Sequence, residues 1–72
     1  MNRIGPAMKA AVAYVASNPG CPKIEPARMV GPHGSLKYGY ESVDRAISAG
    51  LIQAEPTGRG YRLFVTDKGM AI

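Results

Sequence analysis

The 72 residues of this chain suffice for one small domain with a thin core, because a chain of this size buries only about 60% of its unfolded surface. The single cysteine and single histidine exclude an internal disulfide and a four-ligand structural zinc site. No segment reaches the roughly 18 apolar residues of a membrane span, so we expect a cytoplasmic protein. We also expect neither a metal nor a cofactor. The net charge of +4 favours an anionic partner.

The first predicted helix covers residues 6–17. Pro6 suits the first helical position, because its ring fixes a helical φ and its missing N–H is not needed there. Apolar residues then repeat at three- and four-residue spacing, which predicts one buried stripe. The stripe consists of Met8, Ala11, Val12 and Val15. Residues 18–23 are rich in helix breakers and predict a loop.

Two further helices are predicted. A short one is expected at about residues 26–30, ended by Gly31, and a long one at about residues 36–49, capped by Ser35. Gly39 is expected to delay the regular part of the long helix until about Tyr40. Its predicted buried face holds Leu36, Tyr40, Val43 and Ile47. Its predicted exposed face holds Lys37, Tyr38, Glu41, Ser42, Arg45 and Ser48.

A β-hairpin is predicted after the third helix, at about residues 51–66. Residues 51–55 and 61–65 are the two strands, and the glycine-rich cluster at residues 56–60 is the turn between them. Residues 66–69 form a closing turn. Three helices followed by two strands predict an α+β fold.

This order of elements resembles the winged helix-turn-helix family of DNA-binding domains. Two short runs carry the resemblance: residues 42–52, where Ala49, Gly50 and Leu51 lead directly into the hairpin, and residues 63–69, which are similar to the end of the wing in small bacterial and phage regulators. The resemblance implies one domain over residues 1–72, a three-helix winged helix-turn-helix with a C-terminal two-stranded β-hairpin wing. The turn before the third helix is about three residues longer than the minimal one, which leaves the exact start of that helix open.

The resemblance implies sequence-specific binding of double-stranded DNA, by a small transcriptional regulator or a phage or plasmid accessory factor. The third helix is expected in the major groove, where Arg45 would pair with a guanine, and Arg59 of the wing in the minor groove. An ion pair of Glu41 with Arg45 is favoured over a contact of Glu41 with cytosine. The candidate DNA-binding residues are Ser35, Lys37, Tyr38, Glu41, Ser42, Arg45, Arg59 and Arg62, with Lys9, Lys23 and Arg28 as phosphate contacts.

No motif indicates an enzyme. The segment at residues 31–35 lacks the Gly-Lys-Ser/Thr ending of a phosphate loop, and neither His33 nor Ser35 has an evident catalytic partner. The competing hypothesis is a protein-docking module, because the third helix is charge-neutral overall and a fold alone does not establish function. A large exposed apolar patch would favour docking. We expect a monomer in solution, with a second copy on DNA or a protein partner left open.

Overall fold

The chain combines helices with a small antiparallel sheet. The structure, a computed structural model, describes residues 5–30 and 36–72. The helices are α1 (Pro6–Ser17), α2 (Ile24–Val30), α3 (Leu36–Ser48) and α4 (Asp67–Met70); the strands are β1 (Cys21–Pro22), β2 (Ile52–Thr57) and β3 (Gly60–Val65). The strand order is β1-β3-β2, and both pairs are antiparallel. The predicted α+β class is confirmed. No helix within the described ranges is long and apolar enough to cross a membrane.

The core lies between the three longer helices and one face of the sheet. The predicted stripe of α1 contributes to it, since Ala11, Val12 and Val15 are buried and Met8 packs against them. From the sheet, Ile52 and Leu63 point inward, as the alternation of side chains along a strand requires. Cys21, Pro26, Ala27, Val43, Ala46 and Leu51 are buried as well.

Residues 21 and 22 form a third strand where the sequence predicted only a loop. Cys21 lies opposite Leu63 and Pro22 opposite Arg62. Gly20 turns the chain toward the sheet with a φ of +81°, and its N–H donates to the carbonyl of Leu63 at 2.8 Å. A two-residue strand containing proline is too short to show alternating apolar and polar residues, so the sequence pattern cannot predict it. The strand joins the first helical segment to the hairpin.

The second helix begins two residues earlier than predicted, at Ile24. Pro26 is therefore its third residue, where the missing N–H costs nothing because the first four N–H groups of a helix have no intrahelical partner. Pro26 and Ala27 are both buried. The predicted end at Gly31 and the cap at Ser35 lie outside the described residues.

The predicted delay of α3 at Gly39 is wrong, because α3 is helical from Leu36 onward. Gly39 is needed for packing instead: a Cβ at this position would lie 1.9 Å from the carbonyl oxygen of Ala27. The backbones of α2 and α3 therefore touch where Gly39 meets Ala27.

The buried face of α3 is rotated relative to the prediction. It holds Gly39, Ser42, Val43 and Ala46, whereas Leu36 is exposed. The prediction that Ser42 faces outward is wrong, since the close approach of α2 favours the small residues at helical spacing from Gly39. The hydroxyl of Ser42 is satisfied locally by donating to the carbonyl of Tyr38 at 3.1 Å.

A glycine cap ends α3 and aims the chain into the hairpin. Gly50 has a φ of +80° and donates to the carbonyl of Ile47, while the N–H of Leu51 donates to the carbonyl of Ala46 at 2.9 Å. These two bonds form a Schellman motif, which places the buried Leu51 directly after it. In the hairpin, the pairing of Thr57 with Gly60 leaves a two-residue turn.

The hydroxyl of Tyr14 links α1 to α2 by donating to Oε1 of Glu25 at 2.7 Å. That hydrogen bond, together with burial and the charge of Glu25, raises the pKa of Tyr14 above its usual value of 10.0. Because the folded pKa exceeds the unfolded one, this stabilisation is present below the unfolded pKa and is lost as pH rises through the folded pKa.

We therefore expect the stability advantage of the native protein over Tyr14→Phe to disappear at alkaline pH. Melting temperatures of both proteins between about pH 8 and pH 11 would measure it. Tyr61→Phe is the matched control, since the Tyr61 hydroxyl makes no hydrogen bond within residues 5–30 and 36–72. Parallel pH profiles for the native protein and Tyr14→Phe would contradict this linkage.

Candidate nucleic-acid interface

The exposed side of α3 and the hairpin lie next to one another, since α3 packs against β2. Five of the six α3 residues that were predicted to face outward do so in the structure. These are Lys37, Tyr38, Glu41, Arg45 and Ser48. We call the exposed side of α3 together with the hairpin the α3–hairpin face.

The outermost stripe of α3 is not basic. With about 100° between successive residues, spacings of four, three and four place its members along one line of the helix. They are Lys37, Glu41, Asp44 and Ser48, all exposed. Two acids accompany one base, so a polyanion approaching this stripe gains no net attraction from it. Positive charge has to come from the flanks of α3 and from the hairpin.

The two flanks of α3 differ in chemistry. Tyr38 and Arg45, seven residues apart, share one flank, whereas Tyr40 and Ile47 share the other. The second flank faces the hairpin, because Ile47 lines a cleft together with hairpin residues. Arg45 consequently lies on the flank that faces away from the hairpin.

The predicted ion pair of Glu41 with Arg45 does not form. In the two stretches that the structure describes, the only ion pair joins Lys23 to Asp44. Arg45 is exposed in the last turn of α3, where the helix dipole favours a cation. Its guanidinium is therefore free of a carboxylate partner among those residues.

The hairpin presents one isolated cation and one that faces an acid. Arg59 is exposed in the two-residue turn, where its N–H lies 3.4 Å from the Thr57 hydroxyl. Arg62 is also exposed, but the strand register places it directly opposite Glu55. Opposite charges at paired positions attract each other and weaken the local positive potential. Arg59 is thus the principal cation of the hairpin.

The remaining predicted contacts are distributed unevenly. Arg28 is exposed in the last turn of α2. Lys23, predicted to be a phosphate contact, is instead ion-paired with Asp44, and its Nζ lies 5.7 Å from the centroid of the Tyr40 ring. Ser42 is buried and does not reach the α3–hairpin face, and Ser35 lies outside the described residues. Lys9 lines a separate groove formed by α1 and the C-terminal residues.

Two residues of the α3–hairpin face were missed as candidates from the sequence. Asp44 lies seven residues after Lys37 and four residues before Ser48. Helical spacing alone could therefore have placed it on the exposed stripe. Tyr61 is half-exposed on β3 and lines the same cleft as Asp44. Its position depends on how the hairpin packs beside α3, for which the sequence carries no local signal.

Burial raises the pKa of the Cys21 thiol, and the charge of Glu25 raises it further. The thiol stays protonated at neutral pH, so it lacks the thiolate that a nucleophilic cysteine needs. Across residues 5–30 and 36–72, no three His, Cys, Asp or Glu side chains are grouped closely enough to hold a metal ion.

Comparisons with protein-family models, with curated proteins and with solved structures find no match to this chain.

Proposed function

We propose that this protein is a winged helix-turn-helix domain that binds double-stranded DNA sequence-specifically, as a small transcriptional regulator or a phage or plasmid accessory factor. In this proposal α3 lies in the major groove and the hairpin reaches the neighbouring minor groove. The order of three helices followed by a hairpin supports it. The observation that carries it is the exposed Arg59 in the tight turn of the hairpin, whose strand β2 packs against α3.

The hairpin turn has the chemistry of a minor-groove contact. Arg59 stands between Gly58 and Gly60. Among residues 5–30 and 36–72, chain neighbours aside, no heavy atom lies within 4 Å of a Cβ built on either glycine. The turn therefore projects without neighbours, and its backbone can approach DNA closely. The deep negative potential of a narrow minor groove attracts an arginine at such a position.

Arg45 and Lys37 supply the contacts of α3 in the major groove. An arginine can donate two hydrogen bonds to O6 and N7 of a guanine, which discriminates against other bases by about 1 to 3 kcal/mol. Arg45 has no carboxylate partner among the described residues, so this fork is available. Arg28, exposed at the end of α2, is a candidate phosphate contact that positions the domain without reading bases.

The test is selection from a pool of random DNA duplexes at two salt concentrations, followed by binding measurements on the enriched sequence. We expect Arg59→Ala to weaken binding about tenfold and to reduce the salt slope by about one, as the loss of one charge contact predicts. Arg45→Ala should remove the preference at one base pair. Lys68→Gln removes the same charge from an exposed position on α4, outside the α3–hairpin face, and should change neither property.

The possible outcomes separate the parts of the proposal. Equal binding of all duplexes would remove sequence specificity but keep DNA as the partner. Failure to bind any duplex at low salt would contradict DNA binding altogether.

A second candidate function is docking of another protein, and an exposed apolar patch favours it. Met29 is 65% exposed and Tyr38 is 45% exposed. Both line a shallow groove of about 390 Å³ whose other walls are Pro6, Ala7, Ala10 and Val30. Exposed apolar surface of this kind often marks an interaction site. If this groove is the functional surface, Met29→Gln would abolish binding of the protein partner while leaving duplex binding unchanged.

A further inference from the structure

A cleft separates α3 from the hairpin on the α3–hairpin face. It has a volume of about 230 Å³. Its walls are Lys23, Asp44, Ile47, Ala54 and Tyr61. Three of these side chains carry polar atoms: the ammonium of Lys23, the carboxylate of Asp44 and the hydroxyl of Tyr61. We call it the α3–hairpin cleft.

The ammonium group of Lys23 is held from two sides within the cleft. It forms the ion pair with Asp44, and the ring of Tyr40 lies beneath it. The Lys23 side chain is 26% exposed, whereas that of Asp44 is 57% exposed. The cation is thus fixed and partly shielded from water, while the anion stands at the surface on the outward stripe of α3.

An ammonium group carries three donor hydrogens, and a phosphate competes for them with a carboxylate. In the proposed binding mode, a duplex that contacts α3 through one groove and the hairpin through the next would have the intervening backbone strand above the cleft between them. A phosphate of that strand would lie near the Lys23 ammonium and the Tyr61 hydroxyl, and the Asp44 carboxylate would repel it.

We propose that Asp44 occupies the place of a DNA phosphate at Lys23 in the free protein, and that binding exchanges the carboxylate for the phosphate. This inference rests on the proposed DNA-binding function. Every duplex offers phosphates, so the loss of the Lys23–Asp44 pair opposes binding to any sequence. Only a duplex whose bases fit α3 and whose groove accepts the hairpin offsets that loss. Asp44 therefore lowers the affinity for every duplex by the same factor, so that only duplexes that fit α3 and the hairpin remain bound.

Asp44→Asn tests this exchange, because asparagine keeps the size of the side chain and removes its charge. We expect binding to an unrelated duplex to tighten about tenfold at low salt, and the salt slope to grow by about one contact, since Lys23 becomes available to a phosphate. The selected sequence should gain by the same factor, because the Lys23–Asp44 pair is lost on binding to any duplex. Lys23→Gln should have little effect in the native protein but should reverse the gain when added to Asp44→Asn.

The matched control is Asp67→Asn, which changes net charge equally at an exposed position on α4. Thermal melts show whether each variant is folded, and Asp44→Ser serves as a second variant. If the Asp44 and Asp67 variants gained equally in affinity for the unrelated duplex, net charge alone would explain the gain, and the exchange would be overturned. A gain that persists with Lys23→Gln would also overturn it. If the native protein binds duplexes and Asp44→Asn alters nothing, the exchange fails alone; if no duplex binds, the proposed function fails with it.

Discussion

Replacing Gly39 with alanine is expected to remove a large part of the protein's free energy of unfolding. The added Cβ would lie 1.9 Å from the carbonyl oxygen of Ala27, and 2.6 Å and 2.9 Å from its carbonyl carbon and Cα. All three atoms belong to the backbone of α2, so no side-chain rotation can relieve the overlap. The helices α2 and α3 would have to separate, which would open the contact that Val43 and Ala46 make with the core.

The expected magnitude is large for so small a protein. A 72-residue chain has a free energy of unfolding of about 4 to 10 kcal/mol. Forcing additional atoms into a packed site costs about 1 to 3 kcal/mol when side chains can adjust, and we expect about 3 kcal/mol or more here because the backbone has to move. Urea unfolding followed by circular dichroism measures the loss.

Gly58→Ala is the control for Gly39→Ala. In the described part of the chain, nothing lies within 4 Å of a Cβ at Gly58, and the φ of Gly58 is not positive. The control should unfold within about 0.5 kcal/mol of the native protein, as is usual for surface substitutions. If Gly39→Ala were equally harmless, the close approach of α2 to α3 would be disproved.

Elements whose signals are local were predicted well from the sequence. The first helix has the predicted bounds because Pro6 marks its start and the apolar spacing is unbroken to its end. The hairpin follows from its glycine-rich turn, and Gly50 ends α3 as a glycine with positive φ does. Each of these signals lies within a few residues of the structure that it determines.

Features set by contacts between distant residues were not predicted. Gly39 was interpreted as a local weakness of the helix, although its role is to admit the backbone of a neighbouring helix. That contact also turns Ser42 inward, which removed one candidate DNA-binding residue. The ion pair of Lys23 with Asp44 connects residues 21 positions apart, and no spacing rule relates them. From the sequence, Lys23 was a candidate phosphate contact, and Asp44 entered only the charge balance of the third helix.

The C-terminal turn was predicted only as a turn, but its hydrogen bonds tie it to the end of α3. The hydroxyl of Thr66 accepts from the N–H of Gly69 at 3.1 Å and donates to the carbonyl of Gly50. The N–H of Thr66 donates to the carbonyl of Leu51 at 3.1 Å. Since Leu51 is fully buried between the cap of α3 and the start of β2, this turn supports the junction between helix and hairpin.

Gly69→Ala is therefore expected to release α4 and to loosen that junction. The added Cβ would lie 2.2 Å from the carbonyl oxygen of Leu51 and 3.0 Å from Cγ1 of Val65. We expect a loss of about 2 to 3 kcal/mol, smaller than for Gly39→Ala because a terminal turn can move away as a unit. Urea unfolding gives the total, and hydrogen exchange at the Thr66 amide reports the local opening. Gly60→Ala, which adds a Cβ in open space, is the control. Unchanged protection of the Thr66 amide in Gly69→Ala would show that α4 does not pack against Leu51, and the hairpin would then be positioned by the glycine cap of α3 alone.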